Sequence, residues 1–249
     1  MKIEAQPSPN FNDRKHPVDM LILHYTGMKT GQEALDRMCD AEAEVSAHYM
    51  IWEDGRIVQL VGEDKRAWHA GISSWQGESD LNSRSIGIEI VNGGHDWPLE
   101  GGVLPPYPEA QIEALIELST GILSRWDIAP TRIVGHSDVA PARKQDPGEH
   151  FPWQRLAGAG IGVWPASVAN NIASANNPIG DDDSDISASA VQNMLSEIGY
   201  QIERSGAFDE GTEAVIRAFQ RRWGQDQITG QVDPRTLKML RLVHPLYLA

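Results

Sequence analysis

The stretch Val18 to His24 (VDMLILH) is an apolar run of strand length that ends on a polar residue and is followed by Tyr25-Thr26-Gly27. That pattern predicts a buried strand running into a loop. Gly31 to Asp40 fits a short helix, and His48 to Leu60 holds two strand-like runs flanking Asp54-Gly55, which predicts a hairpin. Ser85 to Val91 (SIGIEIV) alternates apolar with small or polar residues, as a further sheet strand does. From Pro108 to Trp126 the residues Ile112, Leu115, Ile116, Ile122, Leu123 and Trp126 recur at helical spacing, with Pro108 suited to the first turn. Thr131 to Val134 reads as another strand, whose end delivers Gly135-His136. Strands and helices mixed in this way predict an α/β layer fold with a site along one sheet edge.

The pattern changes after Trp164-Pro165, where a small, polar stretch ends in a run of acids and reads as a linker. Helical spacing returns at Val191, Met194, Leu195 and Ile198, stops at Gly199, and resumes at Val215, Ala218 and Phe219. A last helix is expected from Asp233-Pro234, an acid at the N-cap followed by proline, and carries Leu237 and Leu240. The expected organisation is a first domain over residues 1–167, a linker over 168–185 and a small three-helix unit over 186–249. No repeat of 20 to 50 residues is visible along the chain.

Charge supports that division. The 249 residues carry a net charge of −14, yet residues 187–249 hold seven Lys/Arg and seven Asp/Glu, so the acidity belongs to the front part. An acidic chain of this kind is not expected to bind nucleic acid. The single cysteine, Cys39, excludes an intrachain disulfide. The N-terminal residues lack the apolar core of a secretory signal, and no stretch approaches the ~18 apolar residues of a membrane span. A soluble chain is therefore expected, in the cytoplasm on a literal reading.

Candidate chemistry gathers at strand ends. His24 and His136 each close a predicted strand, and Asp146 lies ten positions after His136 across a proline-bearing loop, so the three form a plausible facial metal set. Spacing alone leaves open that both histidines are ordinary loop residues. Glu89 is the odder feature: a carboxylate inside SIGIEIV either faces solvent or needs a cation, a metal-bound water or an open cleft. Trp68, with His69 and Ala70, and later Ser74-Trp75, offer aromatic surface that suits sugar or peptide unless it is simply core. Asp138, Lys144 and Glu149 read from the sequence as solvated loop charges, and His16, His48, His95, His150 and His244 as structural.

Taken in order, Leu23-His24-Tyr25-Thr26, Ala47-His48-Tyr49, Trp68-His69-Ala70-Gly71, Ser85 to Glu89, Gly135-His136-Ser137-Asp138, Pro141 to Lys144 and Asp146-Pro147-Gly148 closely resemble the zinc-dependent N-acetylmuramoyl-L-alanine amidases. That group shares its fold with phage T7 lysozyme and the peptidoglycan recognition proteins. The resemblance covers about residues 10 to 165 and implies a mixed, mainly β central sheet flanked by helices. It implies zinc ligands at His24, His136 and Asp146, a catalytic acid at Glu89, a catalytic lysine at Lys144, and substrate contacts at Trp68, His69, Ala70 and Arg143. The tail, about 186 to 242, resembles the three-helix peptidoglycan-binding domain.

The implied reaction is hydrolysis of the amide joining N-acetylmuramic acid, in its ordinary or 1,6-anhydro form, to L-alanine in peptidoglycan or muropeptides. A monomer is the expected state. A wall-binding tail argues for the periplasm or cell envelope as the alternative compartment. Three rivals differ in what they require. A non-catalytic peptidoglycan recognition module usually lacks a ligand, a cysteine peptidase needs an activated thiol at Cys39, and a metallo-carboxypeptidase needs a different ligand spacing.

Overall fold

The structure, a computed structural model, describes residues 2–165 and 186–248; the expected linker, 168–185, lies outside the described residues. Among the described residues eight strands form two sheets: β1 (Ile3–Ala5), β2 (Phe11–Asp13), β3 (Met20–Tyr25), β4 (Tyr49–Ile51), β5 (Ile57–Gln59), β6 (Lys65–Ala67), β7 (Ser85–Ile90) and β8 (Ile133–Gly135). Six of them make the central sheet in the order β1-β5-β4-β7-β3-β8, and β2 pairs with β6. Only the β4–β5 pair in the central sheet is antiparallel, and it is the expected hairpin, turning through Gly55 at φ 84°. The strands β4, β7, β3 and β8 run parallel and have near-continuous apolar burial, as a sheet covered on both faces requires.

Alternation along β3 divides the core. Leu21 and Leu23 face one side with Ile86, Ile88, Ile90 and Ile133, against α3 (Glu109–Arg125) through Ile112, Leu115, Leu118 and Ile122. Pro108 is the N-cap of that helix and stands just outside the first turn. Met20 and Ile22 face the other side, where Trp75, Leu81 and Val139 join the tail residues Val191, Leu195, Ile198, Phe219 and Trp223 in one core. Trp75 is fully buried there, so its ring is core and not a binding surface.

Shorter elements complete the first part: α1 (Gly31–Cys39), capped by Thr30 accepting from the Glu33 N–H at 3.2 Å, α2 (Leu81–Arg84), α4 (His136–Val139) and α5 (Trp153–Gly158). The tail holds α6 (Ala188–Ile198), α7 (Glu210–Trp223), α8 (Pro234–Val243) and a terminal turn, α9 (Pro245–Leu248). Ser187, Asp209 and Asp233 cap the three long helices, each bonding the N–H three residues on, a contact worth about 1 kcal/mol.

The tail also contains a repeat that the sequence hides. Buried Gln192 donates to the Thr212 hydroxyl and accepts from the Gly206 N–H, while Gln220 donates to the Thr236 hydroxyl and accepts from the Gly230 N–H. Two helix–loop–cap units therefore share one polar scaffold, carried by single Gln, Gly, Asp and Thr positions too sparse to register as periodicity. No helix among the described residues is long and apolar enough to cross a membrane.

Candidate active site

Register builds the site. In the parallel β3–β7 pair His24 lies opposite Glu89, and in β3–β8 Leu23 lies opposite Gly135, so His136 follows one step on beside His24. Because the side-chain period is two, these three side chains leave the same face of the sheet at its C-terminal end. The site thus sits at the ends of three adjacent parallel strands instead of along an outer edge, because β3 is flanked on both sides. Asp146 is brought in by the loop after α4, where its carbonyl accepts from the Ser137 N–H at 2.9 Å.

Three ligand atoms converge. His24 Nδ1 lies 2.9 Å from His136 Nδ1 and 3.0 Å from Asp146 Oδ2, and His136 Nδ1 lies 3.1 Å from the same oxygen. All three residues are buried. Their hydrogen bonds fix which nitrogens carry protons. The Ser85 hydroxyl donates to the Leu81 carbonyl at 2.6 Å, so it accepts from His69 Nε2 at 3.2 Å. His69 Nδ1 is then bare and accepts from His24 Nε2 at 3.1 Å, which leaves His24 Nδ1 as a lone pair. His136 Nε2 donates to the Ala70 carbonyl at 3.0 Å, so in the neutral ring its Nδ1 is likewise a lone pair.

Two bare nitrogens and a carboxylate oxygen facing one another at about 3 Å repel unless a cation lies among them. A tetrahedral ion with bonds of about 2.0–2.1 Å places its ligand atoms roughly 3.3 Å apart. The donor set therefore fits a metal ion in both charge and size.

The electrostatics agree. Burial, reinforced by His136, lowers the His24 pKa to about 4, so the imidazole is neutral as a ligand must be. Burial would raise Asp146, but positive charge beside it, here a proton on His136 or His24, holds it below the usual carboxylate range, so this oxygen favours a cation among the three groups. Glu89 moves the opposite way: burial first, and the Asp146 charge second, push it well above that range, with Lys144 opposing. Its Oε2 is buried and has no hydrogen-bond partner among the described residues. A carboxyl group held near the metal donors without a fixed partner is free to exchange a proton.

These residues open on a cleft of about 600 Å³ whose lining also includes Tyr25, Trp68, Asp96, Arg143 and Lys144. Of the expected substrate contacts, Trp68 is half-buried on this wall, its indole N–H donating to the Asn12 side chain at 3.1 Å. His69 and Ala70 border the cleft, but their polar atoms serve His24 and His136. Arg143 reaches back to the Ala70 and Ile72 carbonyls and braces that loop.

Two loop charges differ from the solvated reading. Asp138 is buried between Gly135, Tyr200 and Arg222, and Glu149 is half-buried against His95 at 3.1 Å. Sequence reading also missed Ser85 as the anchor of the histidine chain. Its signal was its position two residues before Gly87 and four before Glu89, on the same strand face.

The family description N-acetylmuramoyl-L-alanine amidase matches residues 14–149, and a peptidoglycan binding domain description matches 187–240. The N-acetylmuramoyl-L-alanine amidase AmiD of Escherichia coli is 37% identical over 228 residues, which cover 88% of this chain and 79% of that protein. The 1,6-anhydro-N-acetylmuramyl-L-alanine amidase AmpD of Haemophilus influenzae is 36% identical over 168 residues, 59% of this chain and 86% of that one.

Among solved structures, Escherichia coli AmiD in complex with anhydro-N-acetylmuramic acid-L-Ala-D-gamma-Glu-L-Lys matches with a TM-score of 0.79 at 35% identity, covering 92% of this chain and 90% of that one. Pseudomonas aeruginosa AmpDh3 with an anhydromuramic pentapeptide matches with a TM-score of 0.76 at 31% identity, covering 97% and 96%.

Proposed function

The chain belongs to the N-acetylmuramoyl-L-alanine amidase family, and from that premise we propose that it hydrolyses the amide between the lactyl group of N-acetylmuramic acid and L-alanine, with 1,6-anhydro muropeptides of wall recycling as its substrates. The observation that carries this reading is the convergence of His24 Nδ1, His136 Nδ1 and Asp146 Oδ2 within 3.1 Å of one another, beside Glu89 in the adjacent strand register. The substrates named in the complexes of similar proteins supply the anhydro form.

His24, His136 and Asp146 would hold zinc, the ion suited to two imidazoles and one carboxylate in a site with room for a further ligand. What zinc supplies when bound is Lewis acidity, which polarises the scissile carbonyl and acidifies a water. The protein's own groups do the rest. Glu89, with its raised proton affinity, takes a proton from the attacking water and passes it to the departing L-alanine nitrogen. Water and amide thereby become a lactyl carboxylic acid and a free amine. Lys144, on the cleft wall, donates to the oxygen that gains charge as the carbonyl is attacked. Trp68 and Arg143 flank the path of sugar and peptide.

Single substitutions His24→Ala, His136→Ala and Asp146→Ala test the ligand set. Each is expected to lose zinc and turnover together, read by metal analysis of the purified protein. Stoichiometric zinc with full turnover in any one of them removes that residue from the set.

A further inference from the structure

Arg222, in α7 of the tail, is 84 residues from Asp138 in sequence, yet the two side chains form an ion pair at 2.8 Å and each is 1% exposed. The guanidinium also donates to the Ile133 carbonyl of β8 at 2.9 Å and lies over the rings of Trp153 and Trp223, 4.3 and 4.7 Å from their centroids. The other Asp138 oxygen accepts from the Tyr200 hydroxyl at 2.7 Å, and Tyr200 too belongs to the tail, packed edge-on against Trp75.

What Asp138 does with this support is specific. Its Oδ2 accepts from the Gly135 N–H at 2.8 Å, closing the first turn of α4, and that turn begins with His136. One guanidinium therefore grips the strand before His136 and, through Asp138, the helix that starts at His136.

We propose that Arg222 and Tyr200 are positioning residues for the metal ligand His136, so that the C-terminal unit is a fixed part of the metal site as well as a wall-binding module. The inference rests on His136 being a metal ligand and does not depend on which substrate is cleaved. A loosely tethered binding module has no need of a fully desolvated ion pair to its neighbour. Here the pair comes with a shared core and with further links, from the Gln76 N–H to the Gly199 carbonyl at 2.8 Å and from Gln225 to the Phe151 carbonyl at 2.7 Å. Groups that hold a ligand in place typically change metal affinity by about 10–100-fold when removed.

The test uses the full chain and zinc alone as probe, with the dissociation constant measured by competition against a chelator. Arg222→Met is expected to weaken zinc binding about 10–100-fold, Tyr200→Phe to weaken it a few-fold, and Arg222→Lys to recover part of the loss. Leu240→Ala, a core truncation in α8 that leaves Tyr200 and Arg222, the tail partners of Asp138, in place, is expected to lower the melting temperature and leave zinc affinity unchanged. If Arg222→Met does not fold, Tyr200→Phe, which removes one hydroxyl, decides the matter. Wild-type zinc affinity in Tyr200→Phe and in folded Arg222→Met overturns the proposal. So does equal weakening in Leu240→Ala, since the effect would then be general destabilisation. A wild-type protein that binds zinc but leaves muropeptides intact, with Arg222→Met still losing zinc, contradicts the proposed substrate and spares this inference.

Discussion

Glu89 and His24 face each other across one strand register, and their chemistry follows from opposite treatments of charge: the imidazole is kept neutral by burial while the carboxyl is made to hold its proton more tightly. Glu89→Gln keeps the shape and removes the proton acceptor. It is expected to retain zinc and lose about 10²- to 10⁴-fold in kcat, the usual worth of a positioned acid–base group. Turnover near wild type would assign the proton transfer to another group. The residue types at His24, His136, Asp146, Glu89 and Lys144 were legible in the sequence through their resemblance to a family. The partners that set their states were not. Asp138 reads as a loop charge because its burial comes from Tyr200 and Arg222, 62 and 84 residues away. His69 reads as a surface aromatic-motif residue because nothing local shows that Ser85 and His24 lie at its two nitrogens.

Strand β7 shows how an element places these groups. Ser85, Gly87 and Glu89 share one face, and the His69 ring lies directly on Gly87, where an added Cβ would come within 2.5 Å of it. Gly87 is glycine for close approach and not for an unusual φ. Gly87→Ala must displace His69 and, through it, the ring of His24. The expected cost is about 1–3 kcal/mol of stability, as for overpacking elsewhere, together with weakened zinc binding; unchanged zinc affinity would show that His69 does not hold His24. The strand itself was legible from its alternation, β3 from its apolar run, the hairpin from Asp54-Gly55, and α3 and the tail helices from helical spacing. The short strands β1, β2 and β6, three residues each, were not, since runs of that length carry too little pattern to separate from loop. Sheet order was equally hidden, because pairing between distant strands leaves no mark on local periodicity.

At the scale of the molecule, one sheet face carries both the site and the tail, so packing and function share a core. Acid should weaken the fold through buried neutral histidines. His48 is fully buried, with the Gly87 N–H donating to its Nδ1 at 2.9 Å. Burial, and then the neighbouring Arg14 charge, lower its pKa to about 3 from the ordinary 6.5. The unfolded chain therefore takes up the proton first. Stability is intact above about pH 6.5 and falls as the pH drops, down to about pH 3. Between pH 7 and 5 this group contributes a loss of about 2 kcal/mol, measurable by urea unfolding of metal-free protein. His48→Asn should remove that part of the dependence, and an unchanged pH slope in the variant would contradict it.

The division into two composition classes was legible from charge alone. That the second class would complete the first was not, because Arg222 looks like any basic residue at the end of an exposed helix until its partner is placed. What defines the enzyme is the bond that it cuts. Incubation of the zinc-loaded enzyme with a 1,6-anhydro-N-acetylmuramyl tripeptide in ¹⁸O-labelled water, followed by mass spectrometry, tests it most directly. Hydrolysis of the lactyl amide places one ¹⁸O in the carboxylate of the released sugar and frees a tripeptide with an unlabelled L-alanine amine end. Label in a peptide carboxylate, or a sugar that keeps L-alanine, would contradict it.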